Sequence, residues 1–340
     1  MGFNIIFQCL TEMQNRVDAL RGSLNYTAKH KRLLHVNSEI EKLERERLTL
    51  EKFEQAVGQL EQGLLEGHDL LKLAQQEYDN EMAQLVHQDL KALEQQLSYL
   101  EFTNLFSEKI DAHNAFLSIQ ACSDNTNAQD WAEMLLRMYL RWTEQRGFAS
   151  EIIALLPGEV AGIQSATLHI RGEYMYGCLR TEKGKHRLVR HSPFDLKNRL
   201  CTSFAEIFVA PEVDNEVEIN HEDLRIDFYR DRRARGAHVT RINSAVQITH
   251  LPTNIVVQSD LHRSVHKNKA TAILYLKGKL YEMQQHSQLT KEIRSYHLNK
   301  SLIKDLRTGI EKKNVAAVLD GDLDDFVKAY LKDQAFKSNV

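Results

Sequence analysis

The first hundred residues carry apolar side chains at a helical spacing. Steps of three, four or seven residues separate the apolar positions within residues 36–64 and within residues 82–100, with Glu, Lys, Arg and Gln between them. Such steps place the apolar side chains on one face of a helix. We therefore predict two long helices, separated by Gly63 and Gly67 and packed as an antiparallel hairpin, with a shorter helix from about residue 11 to residue 21 beside them. A plain coiled coil without a function of its own is the alternative interpretation.

The pattern changes after Ser107, where short apolar runs replace the long helical faces. Residues 131–142 keep the spacing of a compact amphipathic helix. Three runs have the composition of strands and are bounded by Gly, Pro or Asp, namely Glu151–Leu155, Ser165–Ile170 and Ile207–Val209. We expect an α+β domain in this part of the chain.

A second region of mixed pattern opens near Ile219. Apolar and polar residues alternate over 224–228 and again over 246–248, which predicts half-buried strands. The turn Pro252-Thr253-Asn254 then leads into another apolar run, so a hairpin is expected. A helix that starts basic and ends amphipathic is predicted over residues 267–285.

These patterns predict a multidomain α+β protein. We expect an N-terminal helical hairpin or bundle over residues 1–107 and a central α+β domain over 108–219. A small loop-bearing α+β domain covers 220–285, and C-terminal helices that pack on the central domain cover 286–340. Two short helices fit this last region, the second over 323–331.

Composition narrows the classes of function. The chain has 340 residues, 42% of them hydrophobic, which is enough for several cores. Its 44 basic and 47 acidic residues give a net charge of −3, which argues against a uniformly basic surface but allows a local basic patch. The four cysteines lie far apart without a C-x-x-C pair, so we predict reduced thiols. No apolar run near the start is long enough to span a membrane, and we expect a cytoplasmic monomer without a membrane partner.

No motif of a metabolic enzyme is present in the sequence. It contains neither a Gly-x-Ser-x-Gly element nor a glycine-rich phosphate loop. The acidic run from Asp320 to Asp325 lacks the spacing of a calcium loop and reads better as an acidic helix start. We predict no metal and no cofactor.

A strongly basic loop is predicted between two strands of the third domain. Residues 229–241 read YRDRRARGAHVTR, with a single glycine. Clustered cations repel one another unless an anion meets them, and RNA phosphate is the candidate. A solvated surface loop with Asp231 as partial counter-charge is the alternative. The RNA-binding candidates in this loop are Arg230, Arg232, Arg233 and Arg241.

A second basic cluster follows the predicted hairpin and adds further RNA-binding candidates. One of its residues, Asn268, can donate to or accept from a sugar or base. The candidates are Arg263, His266, Lys267, Asn268 and Lys269.

Residues 187–203 combine hydroxyl groups, a proline-stiffened turn and the aromatic ring of Phe194. Single-stranded RNA is read by hydrogen bonds to base edges together with stacking on such rings. Taken alone the triplet Ser192-Pro193-Phe194 is weak evidence, because ordinary surface turns have the same composition.

A set of short motifs over nearly the whole chain is similar to the motifs of one protein family. The motifs are Val17–Leu24, Ala128–Ala132, Met138–Trp142, Gly158–Ile163, Leu179–Glu182, His186–Arg190, Ser192–Phe194, Ser244–Val246, His266–Lys269 and Ile303–Gly309. On these motifs the chain resembles the bacterial class I peptide-chain release factor of the type that reads UAA and UGA.

The resemblance implies a function on the ribosome. Ser192, Pro193 and Phe194 stand at the family's codon-reading tripeptide, and Thr202 matches a threonine that contacts the codon. In the family a separate loop domain carries Gly-Gly-Gln into the peptidyl-transferase centre, where it promotes attack of water on the peptidyl-tRNA ester. The implied partners are ribosomal RNA, the stop codon of the messenger, peptidyl-tRNA and a class II release-factor GTPase.

The chain departs from the family pattern at both functional ends. Arg235, Gly236 and Ala237 stand at the catalytic Gly-Gly-Gln, so the resemblance implies a degenerate motif. Ala237 keeps a backbone N–H but lacks the amide side chain of the glutamine. Cys201 replaces a histidine that stacks on a base in the family, and 196–198 replace a glycine-rich stretch.

Three hypotheses follow from these patterns. The first is a release factor that acts at stop codons and is impaired in hydrolysis. The second is a ribosome-binding paralogue without hydrolysis, which competes with an intact factor or binds stalled ribosomes. The third is an RNA-binding protein that has left the ribosome and uses its arginine-rich loop on other transcripts.

Overall fold

The computed structural model forms two compact units, Met1–Leu105 and Phe106–Val340. The residues that the structure describes are 7–16, 40–77, 80–106, 108–213, 217, 219–229, 245–260, 262, 264–285 and 291–338. The division between the two units lies close to the boundary predicted after residue 107, which stays a prediction. The further boundaries predicted at 219 and 285 fall inside the second unit and stay predictions.

The first unit is the predicted helical bundle. Its helices are α1 over residues 7–16, α2 Ile40–Glu77 and α3 Asn80–Thr103. Their buried apolar residues include Leu10 and Met13 of α1, and Leu60, Leu71 and Leu90 of the two long helices. Each fully buried leucine contributes roughly 1.5–3 kcal/mol. Residues 17–21 of the predicted short helix lie outside the described residues.

The prediction that Gly63 and Gly67 separate the long helices is wrong, because α2 runs through both of them. Both glycines face α3, but only Gly63 lies so close to it that a side chain would crowd its neighbour. A Cβ atom added to Gly63 would lie 3.0 Å from the Leu93 side chain, and one on Gly67 would lie 3.6 Å from that of Leu90. The missing side chain at Gly63 therefore provides room for Leu93.

The second unit is built on an eight-stranded sheet. Its strands are β1 Ala115–Ala121, β2 Ala149–Pro157, β3 Ile163–Arg171, β4 Gly184–His191, β5 Leu200–Pro211, β9 Glu292–His297, β10 Leu302–Asp305 and β11 Glu311–Lys312. The order across the sheet is β11-β10-β9-β4-β5-β1-β3-β2. The β4–β9 pair is parallel, and the other pairs are antiparallel.

One long helix, α4 Thr126–Gln145, packs on this sheet. The Asn125 side chain caps it by accepting a hydrogen bond of 2.7 Å from the Ala128 N–H. Its apolar stripe, which includes Trp131, Leu135 and Tyr139, is fully buried. Short helical segments follow β3, namely α5 Met175–Leu179 and the 3₁₀ turn Arg180–Glu182.

A three-stranded antiparallel sheet and one helix form the third predicted region. The strands are β6 Leu224–Tyr229, β7 Ala245–His250 and β8 Ile255–Ser259, and the helix is α6 Val265–Gln285. The predicted hairpin is confirmed, with Asn254 at a φ of 54° in its turn. Helix α6 also packs on β5, so closely that a Cβ on Gly278 would lie 2.2 Å from the Pro211 carbonyl oxygen.

The C-terminal region contains more than the two predicted helices. Those helices are present as α7 Val315–Leu319 and α8 Asp324–Ser338, but β9, β10 and β11 precede them. The sequence of β9, EIRSYH, lacks the alternation of apolar and polar residues that marks a half-buried strand. The strand lies between β4 and β10, and its Arg294 is buried in an ion pair. Strands β1 and β4 were likewise not predicted.

Candidate functional site

The predicted catalytic positions and the basic loop lie outside the described residues. These positions are Arg235, Gly236 and Ala237, together with Arg230, Arg232, Arg233, Arg241 and Arg263. The structure does describe the whole loop between β4 and β5, which carries the predicted codon-reading residues.

Ser192 anchors the first half of this loop. Its N–H donates to the Arg199 carbonyl oxygen at 3.0 Å, which closes the loop at its base. The Ser192 hydroxyl donates to Oδ1 of Asn127 at 2.8 Å and accepts from the Phe194 N–H at 3.3 Å. The residue is only 2% exposed. The hydroxyl therefore holds the loop on the N-terminal end of α4, where Asn127 is located.

The tip of the loop projects into solvent. Pro193 is exposed, Phe194 is 45% exposed, and Leu196 is fully exposed. Asn198 adopts a left-handed conformation with φ of 48°, which asparagine tolerates better than most residues. A bare aromatic ring beside a rigid turn can stack on an unpaired base.

An ion pair closes the tip. Nε of Arg199 lies 2.5 Å from Oδ2 of Asp195, and the Lys197 N–H donates to Oδ1 of the same carboxylate. The hydrogen bond from Arg199 lowers the pKa of Asp195 below its usual value. Because the Arg199 side chain is largely exposed to water, this pair shapes the loop more than it stabilises the fold.

Cys201 and Thr202 point to opposite faces of the sheet, as neighbours on a strand must. Cys201 stands opposite Arg190 in the β4–β5 register, and Arg190 forms an ion pair with Asp130 of α4. Cys201 therefore lies on the α4 side, together with the Ser192 anchor. Thr202 is exposed on the other face, so the predicted codon-binding residues form two groups.

Sequence reasoning missed Asn127 and Asp130, the two α4 residues that hold this loop through Ser192 and Arg190. Asn125-Thr126-Asn127 precedes an apolar helical run, which is the pattern of a helix start. That pattern locates the N-terminus of α4, but it does not say which loop the helix end will meet.

The second basic cluster divides into exposed and buried residues. His266 and Lys267 are exposed in the first turn of α6, and Lys269 is partly buried. Asn268 is fully buried, where its amide donates to the His262 carbonyl oxygen at 2.7 Å and its Oδ1 accepts from the His262 N–H at 2.9 Å. This corrects the prediction that Asn268 offers its side chain to a sugar or base, because that group holds the connection between β8 and α6.

A buried ionic cluster joins the C-terminal strands to the centre of the second unit. Arg294 makes two hydrogen bonds of 2.7 Å to the Glu182 carboxylate and lies 3.3 Å from Asp305. Tyr139 of α4 donates to Glu182 at 2.8 Å, and Arg307 binds Asp305 at 2.8 Å. Burial alone would raise the pKa of Glu182, but the charge and hydrogen bonds of Arg294, together with the charge of Arg307, outweigh it and the pKa is lowered.

His186 lies beside this cluster and is fully buried. Burial lowers its pKa to about 4, although the nearby Glu182 carboxylate acts in the opposite direction. Its ring nitrogens lie 3.1 Å from the Glu182 carbonyl oxygen and 3.3 Å from the Tyr296 hydroxyl. The ring is therefore neutral at physiological pH and belongs to the scaffold.

Within the described residues, no group of His, Cys, Asp or Glu is arranged to hold a metal ion. The acidic run before α8 makes ion pairs instead. Nζ of Lys312 lies 2.7 Å from Asp322 and 2.8 Å from Asp325, and Arg146 pairs with Asp324. This agrees with the interpretation of the run as an acidic helix start.

Among the helices in the described part of the chain, none combines the length and the apolar character needed to cross a bilayer.

Comparison with known proteins gives matches over nearly the full length. The PCRF domain model matches residues 14–207, and the RF-1 domain model matches residues 212–314. The chain is 48% identical over 352 residues to peptide chain release factor 2 of Yersinia pseudotuberculosis serotype O:1b (strain IP 31758), covering 95% of this chain and 96% of the relative.

A second curated relative and a solved structure agree with this match. Peptide chain release factor 2 of Xanthomonas euvesicatoria pv. vesicatoria (strain 85-10) is 47% identical over 358 residues, covering 97% of this chain and 96% of the relative. RF2 of Thermus thermophilus is 35% identical with a TM-score of 0.69, covering 95% of this chain and 96% of that structure.

Proposed function

Because the chain belongs to the class I peptide-chain release factor family, we propose that it binds the ribosomal A site at UAA and UGA stop codons and promotes hydrolysis of the peptidyl-tRNA ester. The observation that carries this proposal is the β4–β5 loop. It presents Pro193 and Phe194 at the surface and buries Ser192 at its base, and these three residues resemble the family's codon-reading tripeptide. Binding residues are commonly found on loops that a rigid scaffold positions.

Residues in the loop and just after it are suited to different contacts with a codon. Phe194 offers an exposed ring for stacking, and Thr202 offers an exposed hydroxyl for a base edge. Ser192 has its hydroxyl on Asn127, so contact with the codon requires that this hydrogen bond be exchanged. Cys201 can pack against a base but lacks the aromatic surface of the histidine it replaces.

We propose further that hydrolysis is impaired, because Arg235-Gly236-Ala237 stands where the family has Gly-Gly-Gln. Glycine allows a tip to adopt positive φ and to approach RNA closely. A non-glycine residue in left-handed geometry costs about 1–2 kcal/mol. Each 1.4 kcal/mol lost from the transition state slows the reaction about tenfold. Because of Arg235 and the missing glutamine amide, we therefore expect this protein to promote peptidyl-tRNA hydrolysis slowly.

A release assay on purified ribosomes tests the proposal. The protein is added to a UGA-programmed complex that carries formyl-methionyl-tRNA, and the released formyl-methionine is measured against a sense-codon complex. We expect slow release that depends on the stop codon. The double variant Arg235→Gly/Ala237→Gln is expected to increase the rate at least tenfold, while Arg225→Ala on β6 leaves it unchanged. Equal release from the sense-codon complex would contradict codon reading.

A hydrolysis-inactive, ribosome-binding paralogue is the second candidate, favoured by the same Arg235 and Ala237. It predicts that the protein reaches stop-codon complexes without releasing peptide and slows an intact factor in competition. Co-sedimentation with ribosomes separates both candidates from a repurposed RNA-binding protein, because only the last fails to pellet with the particles.

We propose that the protein acts as a cytoplasmic monomer and that a class II release-factor GTPase is one of its partners on the ribosome. Light scattering coupled to size-exclusion chromatography measures the oligomeric state, and a dimer mass would contradict it. Dissociation from UGA-programmed ribosomes, followed with and without the GTPase and GTP, tests the partner.

A further inference from the structure

A chamber of about 680 Å³ opens in the second unit, away from the β4–β5 loop. Strands β1 and β5 supply its floor through Gln120, Glu206 and Phe208, and α6 supplies one wall through Lys279 and Met283. Other parts of its lining come from β8, from the connection before β9, and from α8. Cavities of roughly 300–1,000 Å³ are the size that holds a small molecule.

The charge of the lining is mainly positive. It includes the cations Arg180, Lys183, Lys279, Lys291 and Arg307 and the carboxylates Glu206 and Glu282. Three of the cations have carboxylate partners, since Arg180 binds Asp111, Lys183 binds Glu282 and Arg307 binds Asp305.

Lys279 and Lys291 differ from those three cations. Neither forms an ion pair with a carboxylate in the described part of the chain. Nζ of Lys279 lies 4.8 Å from the centre of the Tyr275 ring and 5.6 Å from that of Phe208. The rings attract the cation but leave its hydrogen-bond donors unused. A recess between low-dielectric walls strengthens the attraction of such cations for an anion.

The rest of the chamber fits a flat, partly polar group. Ile255 and Met283 form an apolar side, and Gln120 and Glu206 face one another in register across β1 and β5. Glu206 has Lys185 as its register partner on β4 and accepts hydrogen bonds only, so a ligand near it must offer N–H or O–H donors. Nucleobases with ring or amino N–H groups offer such donors on one edge and an apolar face.

We propose that this chamber binds a nucleoside diphosphate. The phosphates interact with Lys279 and Lys291, and the base lies between the apolar side and the polar pair Gln120 and Glu206. The phosphates supply the anion that the two lysines lack, and the base fills volume that an inorganic anion would leave empty. This site is separate from the proposed codon-reading residues. It also does not depend on hydrolysis of peptidyl-tRNA at Arg235-Gly236-Ala237.

Calorimetric titration of the full chain with GDP and with ADP tests the proposal. We expect one binding site. Lys279→Met and Lys291→Met keep most of the aliphatic side chain and remove the charge, and each should weaken binding at least tenfold. Lys332→Met, an exposed lysine of α8 outside the lining, is the matched control and should bind as the parent does. Glu206→Gln should change the ratio of GDP to ADP affinity.

A second measurement on the parent protein covers the case in which a variant does not fold. GDP should slow chemical acetylation of Lys279 and Lys291 but not of Lys332, as read by mass spectrometry. Binding that is unchanged in both lysine variants would overturn the proposal. It would also be overturned by pyrophosphate binding as tightly as GDP, or by a single-stranded RNA that displaces GDP and depends on the same lysines.

Discussion

Two arginine–carboxylate pairs of the second unit differ in geometry and in surroundings, since one is bidentate and buried and the other is a single contact at a loop tip. Arg294 binds Glu182 in the interior, where both side chains are at most 1% exposed, and Arg199 binds Asp195 at the tip of the β4–β5 loop in water. The pKa of each carboxylate is lowered. In the interior the attraction of Arg294 must first offset the cost of burial, whereas at the tip the hydrogen bond from Arg199 meets little opposition.

The difference in burial between the two pairs distinguishes the scaffold of the second unit from its candidate binding loop. Removing one partner of a buried pair leaves a charge without water, so the pair is strongly constrained. An exposed pair can be exchanged for contacts with a ligand at little cost. The buried cluster around Glu182 therefore fixes the sheet, whereas the ion pair in the proposed codon-reading loop can be exchanged for contacts with a ligand.

The largest expected change in stability comes from breaking the buried pair of Arg294 and Glu182. Arg294→Met leaves the Glu182 carboxylate buried without its bidentate partner and should lower the free energy of unfolding by about 3–5 kcal/mol. Chemical denaturation followed by circular dichroism measures this. The double variant Glu182→Gln/Arg294→Met should recover part of the loss, because it removes the unpaired charge. Equal stability of Arg294→Met and the parent would contradict the assignment.

The next effect is a pH dependence that arises from His186. Its folded pKa of about 4 lies below the ordinary value of 6.5, so the unfolded chain binds the proton more readily. The contribution of the neutral His186 ring to the free energy of unfolding is fully present above pH 6.5. It is lost as the pH falls toward 4. A difference of this size corresponds to about 3 kcal/mol.

Unfolding of the parent and of His186→Gln, measured between pH 7 and pH 4, tests the contribution of this histidine. The variant should show a flatter profile over this interval, although Glu182 still contributes at its acid end. His221→Gln, at an exposed position, is the matched control and should keep the slope of the parent. Parallel profiles for His186→Gln and the parent would rule out the role of the buried ring.

A smaller effect is expected at the junction of scaffold and site. Asn127→Ala removes the acceptor of the Ser192 hydroxyl and should cost about 0.5–1.5 kcal/mol in loop order. If codon reading needs a preset loop, binding to UGA-programmed ribosomes should weaken about two- to tenfold. Filter binding measures this, with the exposed Asn299→Ala as control. Tighter binding would mean that Asn127 restrains Ser192 instead of presenting it.

The smallest effect on stability is expected at the loop tip. Arg199→Met breaks the exposed pair with Asp195 and should leave the unfolding midpoint within experimental error of the parent, because water replaces the lost contact. Ribosome binding is the more sensitive measurement for this variant. A loss of stability comparable with that of Arg294→Met would remove the contrast between the two pairs.

Regular patterns made much of the fold predictable. The bundle core around Leu60 and Leu90 follows from helical spacing, and the β7–β8 hairpin follows from alternation around the turn at Pro252. Strand β9 escaped prediction because Arg294 in its middle suggests an exposed segment. Only its partner Glu182, more than a hundred residues earlier, makes its burial favourable.

The candidate site was predictable in part. The sequence placed Ser192, Phe194 and Thr202 in one segment, but it could not show that Ser192 is buried while Phe194 is exposed. The sequence also predicted that Asn268 contacts RNA. Its amide binds the connection between β8 and α6 instead, and only the three-dimensional structure brings these groups together.

The helical bundle, the mixed α+β character and the family motifs can all be read from the order of the residues. Local spacing and residue chemistry carry that information. Long-range contacts decide which polar groups are used internally, such as Ser192 on Asn127 and Glu182 on Arg294, and which side chains stay accessible, such as the apolar ring of Phe194. The physical reason is that burial and partner distance fix the free energy of a polar group, and both depend on residues far away in the chain.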